Sequence, residues 1–207
     1  MKLYTFPASP NSLRVTAVAY QAGVPLEIVR VDLTKGEHMS PDFIRLNPNH
    51  KIPTLVDGDF VLWESGAIMH YLAELKPRSK LVPKDRHERM RMHQWMYWNG
   101  TNFQPQAQIL IWERFVKGLF NLGAPDQDQI RKGEEGFHRY TKVLNDHLRG
   151  RNFLVGDTVT LADHMIVSVF VPREQAGFPM GNYGEIQRWM GQMFASKAWR
   201  KAFKDTR

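Results

Sequence analysis

Cysteine is absent from all 207 residues of the chain. That lack excludes disulfide staples, zinc–thiolate centres and any catalytic thiol carried by the protein itself. If thiol chemistry occurs here, the thiol has to arrive with a ligand. Runs of eighteen apolar residues are also missing, so no membrane-spanning helix is expected. The opening MKLYTF has one lysine and no apolar leader core, and a chain without a secretory signal is expected. Eight histidines are present (His38, His50, His70, His87, His93, His138, His147 and His164), but none forms an HxxxH pair, so no metal site is expected. No internal repeat and no low-complexity segment is visible.

What remains is an ordinary globular composition, 43% hydrophobic and 24% charged, long enough to bury a substantial core. The net charge is +7, from 28 basic and 21 acidic residues. Much of the excess lies in KPRSKLVPKDRHERMR (76–91) and KAWRKAFKDTR (197–207). Such stretches can bind nucleic acid or anionic membranes. Here the first is interspersed with acids and the second has a helical period, so both read as solvated faces rather than as sites for those partners. The positive field favours small anionic ligands.

The chain divides by character. Residues 1–76 alternate strand-like and helix-like periods in the order β-α-β-α-β-β-α. KLYTF reads as a strand, residues 12–22 as a helix stopping at Gly23, and LEIVRVDL (26–33) as a second strand. SPDFIRLNP (40–48) reads as a short helix with Ser40 as cap and Pro41 in its first position. Two apolar runs around Asp57-Gly58 suggest a hairpin, and ESGAIMHYLAEL (64–75) an amphipathic helix closed by Pro77. Residues 77–86 read as a linker. From 87 to 207 only helical patterns occur, the first a long one over 87–120 with interruptions at Asn99-Gly100 and Pro105.

Four features in the first half bear on chemistry. The turn Ser9–Asn11 precedes the first helix; it reads either as a plain cap or as an anion cradle built on free N–H groups. In KIPTLV (51–56), Pro53 suits a strand entry or a cis turn, and Ile52 before it would offer its backbone to an extended, peptide-like ligand. In WESGAI (63–68), Glu64 suits an ammonium, while Ser65 and the following N–H groups suit a carboxylate, with an ordinary capped helix start as the alternative. His38, in GEHMSP (36–41), and Lys51 would serve a second carboxylate.

Taken in this order, the stretches PASPNSLRV, GEHMSPDFIRLNPNHKIPTLVDGDFVLWESGAIMHYLAEL and LVPKD resemble a glutathione transferase, most like the phi class and its bacterial relatives. FQPQAQILIWERFVKG (103–118) and FLVGDTVTLADHM (153–165), with Thr160 and Asp163 placed as a capping box, carry the similarity through the helical half. The resemblance implies a thioredoxin-like α/β domain joined to an all-α domain with a hydrophobic substrate pocket. It also implies a cytoplasmic homodimer and a detoxifying transferase with glutathione as cosubstrate and no metal. Ser9 then faces the glutathione sulfur, and Ile52 pairs with the cysteinyl unit beside a cis Pro53. Glu64 and Ser65 hold the γ-glutamyl end, and His38 and Lys51 lie near the glycine carboxylate.

Asn11, in the same turn, is the rival of Ser9 as donor to sulfur; Ser12 reads as a capping residue and Arg14 as the partner of an acid. Ala8, Trp112, Phe115 and Leu119 would line the electrophile pocket, although aromatics at this spacing also suit a core. The loop NPNHK has Asn49 where several classes carry an aromatic that plugs into the partner subunit, which implies a looser dimer. Conjugation is the expected reaction, with peroxide reduction by glutathione possible on the same sulfur. A non-catalytic binding or assembly module is the competing expectation.

Overall fold

The structure is a computed structural model that describes residues 1–7 and 9–205. Strand β1 (Lys2–Thr5) leads into helix α1 (Pro10–Ala22), followed by β2 (Glu27–Arg30), α2 (Pro41–Leu46), β3 (Thr54–Asp57), β4 (Phe60–Trp63) and α3 (Ser65–Glu74). The sheet order is β2-β1-β3-β4, with β2 parallel to β1 and both β3 and β4 antiparallel to their neighbours. Leu3 faces Leu55, which in turn faces Leu62. Leu3 and Leu55 are fully buried, as are Val15 and Val18 of α1 and Ile68 and Leu72 of α3. Alternation along each strand and a 3.6-residue period along each helix thus place one apolar core in this half.

Each element begins and ends for local reasons. Ser9 caps α1, Pro10 occupies the first turn where no N–H is needed, and Gly23 closes the helix in the left-handed region at φ 73°. Ser40 caps α2 with Pro41 next, as the sequence predicts. Strand β2 is shorter than the predicted 26–33. Val31 still donates to the Thr5 carbonyl, but the Asp32 side chain then accepts from Thr34 N–H and opens a 3-10 turn at Leu33–Lys35. The hairpin is one residue later than predicted: Asp57 pairs with Phe60, so Gly58-Asp59 form the loop, with Gly58 at φ 60°.

Helices α4 (Arg86–Trp98), α5 (Gln104–Ile111) and α6 (Lys117–Leu119) run on through two π-helical segments, Asn99–Phe103 and Trp112–Val116. The first falls at the predicted interruption; the second has no glycine or proline to announce it. Then follow α7 (Gln127–His147), α8 (Leu161–Val169), α9 (Gly184–Phe194) and α10 (Lys197–Lys204). Phe103, Phe137, Phe170 and Phe178 form an aromatic core, with Phe137 and Phe178 centroids 4.7 Å apart.

The packing divides the chain into Met1–Lys84 with the segment from Phe194, and Asp85–Met193. The sequence reading keeps residues 194–207 with the helical half; the structure groups this segment with the first unit. The cause is apolar. Helix α10 lies against α1, its Ala198, Trp199 and Ala202 are buried, and Tyr20 of α1 donates to Asp205 beneath the ammonium of Lys201.

Candidate active site

Register alone assembles the site. Tyr4 of β1 stands opposite Thr54 of β3, which stands opposite Trp63 of β4. One residue further, the end of β1, the cis Ile52–Pro53 peptide and Glu64 therefore lie side by side at one end of the sheet. Helix α1 leaves β1 and α3 leaves β4 at that same end, and the two helices pack together. Two helix N-termini, each carrying about half a positive charge, thus converge on one sheet edge. Such a corner is built for anions.

Ser9 sits at the first of these N-termini. Its Oγ accepts from the Ser12 N–H at 3.4 Å, its own N–H donates to the Phe6 carbonyl at 3.0 Å, and its backbone is extended at φ −75°, ψ 119°. Because the side-chain oxygen is an acceptor in the cap, the hydroxyl hydrogen is left to donate outward. Asn11 lies one residue inside α1, half-buried. Ala8 lies outside the described residues.

At the second N-terminus the cap position belongs to Glu64, at φ 67°, ψ 113°, and Ser65 is the first helical residue. Ser65, a natural cap by residue type, is therefore not the cap here. No side chain caps α3, so its first N–H groups stay available to a ligand. A glutamate in the left-handed region gives no signal in sequence, because that conformation favours glycine. Glu64 is exposed and Ser65 is buried. Arg14, wholly buried on α1, is pushed down to about 9 by burial and drawn back up by the charge of Glu64. The sequence reading of Arg14 as partner to an acid therefore finds that acid in the site.

The approach to Pro53 is held by Asn47, a residue that sequence reasoning missed. Its amide donates to the Lys51 carbonyl at 2.7 Å and to Thr54 Oγ1 at 3.1 Å, and its carbonyl accepts from Asn49 N–H at 3.0 Å. Asn47 and Thr54 are buried, whereas Ile52 is half-buried and the Lys51 side chain exposed. The recurring asparagines of NPNHK were its only signal. His38 lies in the 3-10 turn Glu37–Met39 with Nδ1 buried. Among the described residues no hydrogen bond or ion pair joins His38 or the Lys51 side chain to the Ser9–Glu64 corner.

Trp112, Phe115 and Leu119 belong to the second unit. Trp112 is 43% and Leu119 47% exposed, and Phe115 is half-buried, so the core-packing alternative fails for the first and third. Arg114 among them is anchored on the Gly177 carbonyl at 2.9 Å and Glu134 at 2.6 Å. Among the described residues no cluster of three or more His, Asp or Glu could hold a metal, and no helix is long and apolar enough to cross a membrane.

A four-stranded thioredoxin-like sheet with a cis proline at its edge, followed by a helical domain, defines the class of fold. Residues 1–74 match the glutathione S-transferase N-terminal domain and residues 103–197 the glutathione S-transferase C-terminal domain. Glutathione S-transferase 3 of Zea mays is 40% identical over 165 residues, 79% of this chain and 73% of that one. The crystal structure of glutathione transferase F2 from Populus trichocarpa matches with a TM-score of 0.90 at 26% identity, covering 99% of this chain and 98% of that one. Glutathione S-transferase I, solved with the ligand lactoylglutathione, matches with a TM-score of 0.86 at 25% identity, covering 98% of each chain. The chain belongs to the glutathione S-transferase family.

Proposed function

We propose that this protein adds glutathione, as its thiolate, to apolar electrophiles, and that Ser9 is the group that lowers the thiol pKa. The observation that carries the reading is the convergence of two helix N-termini, that of α3 without a side-chain cap, on the cis Pro53 edge, with Glu64 beside them. The residues fit a peptide-like zwitterion. Glu64 attracts its ammonium, the N–H groups at Ser65 its carboxylate, and the Ile52 backbone its extended main chain. The His38 and Lys51 side chains serve the remaining carboxylate.

The energetics are sufficient without a general base. A free thiol has a pKa of about 8.5, and lowering it by about two units needs about 2.7 kcal/mol. One charge-assisted hydrogen bond from the Ser9 hydroxyl supplies about 1.5–3 kcal/mol, and the α1 N-terminus about 0.3–1 more. The thiol proton leaves to solvent, and the sulfur bonds to the electrophile carbon, either displacing a leaving group as its anion or adding to an activated double bond whose carbanion takes a proton from water. With a peroxide, the sulfur attacks oxygen, the O–O bond breaks and an alcohol leaves with a proton from water; a second glutathione thiol then displaces water from the sulfenic acid to give the disulfide. Asn11 stands one residue inside the helix and is the second candidate donor. The exposed Trp112 and Leu119, with Phe115, offer apolar surface for the electrophile.

The reading extends to a homodimer in the cytoplasm with a detoxifying role. Phe60 (47% exposed) and Trp63 (41%) on the edge strand β4 support self-association, since an apolar edge strand is normally covered. Light scattering at micromolar concentration checks the dimer. For the chemistry, the ultraviolet thiolate band of bound glutathione is measured across pH. Wild type is expected to show thiolate at neutral pH and Ser9→Ala to lose it. Persistence in Ser9→Ala with loss in Asn11→Ala reassigns the donor, and glutathione bound only as neutral thiol makes the protein a non-catalytic module.

A further inference from the structure

Residues two apart on a strand share a face, so Leu3 and Thr5 of β1 and their partners Ile28 and Arg30 of β2 point to one side of the sheet. Strand β2 is the edge of that sheet. A cavity of about 90 Å3 lies between this edge, the first turns of α1 and the end of α10, all of it within the first unit. That is room for about three waters at about 30 Å3 each, which admits only the smallest solutes. Leu13 of α1 and Ile28 of β2 give it apolar sides.

Its floor is made of hydroxyls. Ser12 is 2% exposed and lines the cavity, yet its Oγ has no hydrogen-bond partner among the described residues. A buried hydroxyl left in that state is rare in a folded chain. Thr16 Oγ1 donates to the Ser12 carbonyl at 3.1 Å, so its lone pairs are left to accept. Thr5, also buried, adds a third hydroxyl. At the mouth stand opposite charges, the exposed Arg30 of β2 and the exposed Asp205 that ends α10. Tyr20 donates to Asp205 and holds it in place. Among the described residues Arg30 and Asp205 form no ion pair, with each other or with any other side chain.

We propose that this cavity binds a small zwitterionic α-amino acid, of the size of glycine or alanine. Two charges of opposite sign that line one cavity without neutralising each other select a ligand that carries both signs. Its carboxylate meets the guanidinium of Arg30, and its ammonium meets the carboxylate of Asp205. An ammonium has three donors, more than Asp205 alone satisfies, and the free lone pairs of Ser12 and Thr16 take the surplus. The volume excludes a tripeptide, which keeps this site apart from the Ser9–Glu64 corner.

The test is calorimetric titration of the full chain with glycine, and with acetate and methylammonium as its two halves. One glycine per chain is expected, bound at least about tenfold more tightly than either half. Arg30→Gln and Asp205→Asn should each remove about tenfold of glycine affinity, and Ser12→Ala about fivefold. Arg30→Lys, which keeps the charge, should recover most of the loss, so a damaged fold cannot imitate the result. Acetate bound as tightly as glycine overturns the proposal. So does full glycine affinity in the Arg30→Gln, Asp205→Asn double variant, or absence of uptake at millimolar glycine. Displacement of glycine by saturating S-methylglutathione also overturns it, by assigning the probe to the Ser9–Glu64 corner.

Discussion

The carboxylate of Asp163 accepts the indole N–H of Trp189 at 3.2 Å, tying the start of α8 to the middle of α9. The same carboxylate accepts from the Leu154 N–H at 2.9 Å and from the Thr160 N–H and hydroxyl at 2.9 and 3.0 Å. Four donors converge on one fully buried acid, so a cap local in sequence also holds a loop and a second helix. Asp163→Ala strands at least three buried N–H groups, each costing about 1–3 kcal/mol. A loss of at least about 3 kcal/mol is expected, read as a Tm lower by about 6–12 °C. A change under about 2 °C would show that water replaces the carboxylate.

The next residue, His164, sets the pH response together with Asp163. Burial raises Asp163 from 3.8 to about 6, and it lowers His164 from 6.5 to about 3. Between pH 4 and 6 the folded chain keeps a proton on Asp163 that the unfolded chain has released, so this group makes stability fall as pH rises. Over the same window the unfolded chain protonates His164 and the folded chain does not, so this group makes stability rise with pH. The two slopes oppose, and the pair contributes little net pH dependence there. His164→Gln is expected to expose the Asp163 slope, with urea midpoints falling as pH rises from 4 to 6. Asp163→Asn should expose the opposite slope, and parallel profiles in both variants would sink the account.

The architecture was legible because periods of two and 3.6 change cleanly along the chain, and because Ser40-Pro41, Gly23 and the Thr160–Asp163 box are local signals with local causes. The hairpin loop slipped by one residue because Asp57-Gly58 and Gly58-Asp59 both carry a turn-forming pair, and only the Asp57–Phe60 pairing decides between them. Glu64 at positive φ was invisible, since its residue type does not favour that conformation. The grouping of α10 with α1 was equally hidden; an amphipathic helix announces that it has an apolar face but not which neighbour covers it. At the corner itself, residue types were readable one by one, whereas their adjacency came only from the Tyr4–Thr54–Trp63 register.

Gly133 lies where α7 packs closely against α5. A Cβ there would stand 3.0 Å from Ile109 Cγ2 and Leu110 Cδ2, and 3.2 Å from the Cβ of Ile109. Alanine normally gains about 1 kcal/mol over glycine inside a helix. Here the Ile109 Cβ cannot retreat without moving its helix, and overpacking costs about 1–3 kcal/mol. Gly133→Ala is therefore expected to lower the thermal midpoint by a few degrees instead of raising it. A raised midpoint would mean that α5 and α7 separate freely.

Arg14 joins the core to the proposed glutathione site. Its guanidinium is wholly buried on α1, and the opposing charge that favours its protonation is that of Glu64, which is exposed at the start of α3. The attraction acts on both partners, so the buried guanidinium of Arg14 also helps to hold Glu64 in position. If Glu64 receives the ammonium of glutathione, loss of the guanidinium weakens binding before it touches the chemistry at Ser9. Arg14→Met is thus expected to raise the KM for glutathione about tenfold with kcat changed less than about threefold. Arg14→Lys, which keeps the charge, should recover most of the loss. Steady-state kinetics with glutathione varied at saturating electrophile makes the distinction, and a fall in kcat at constant KM would place Arg14 with the sulfur instead of with Glu64.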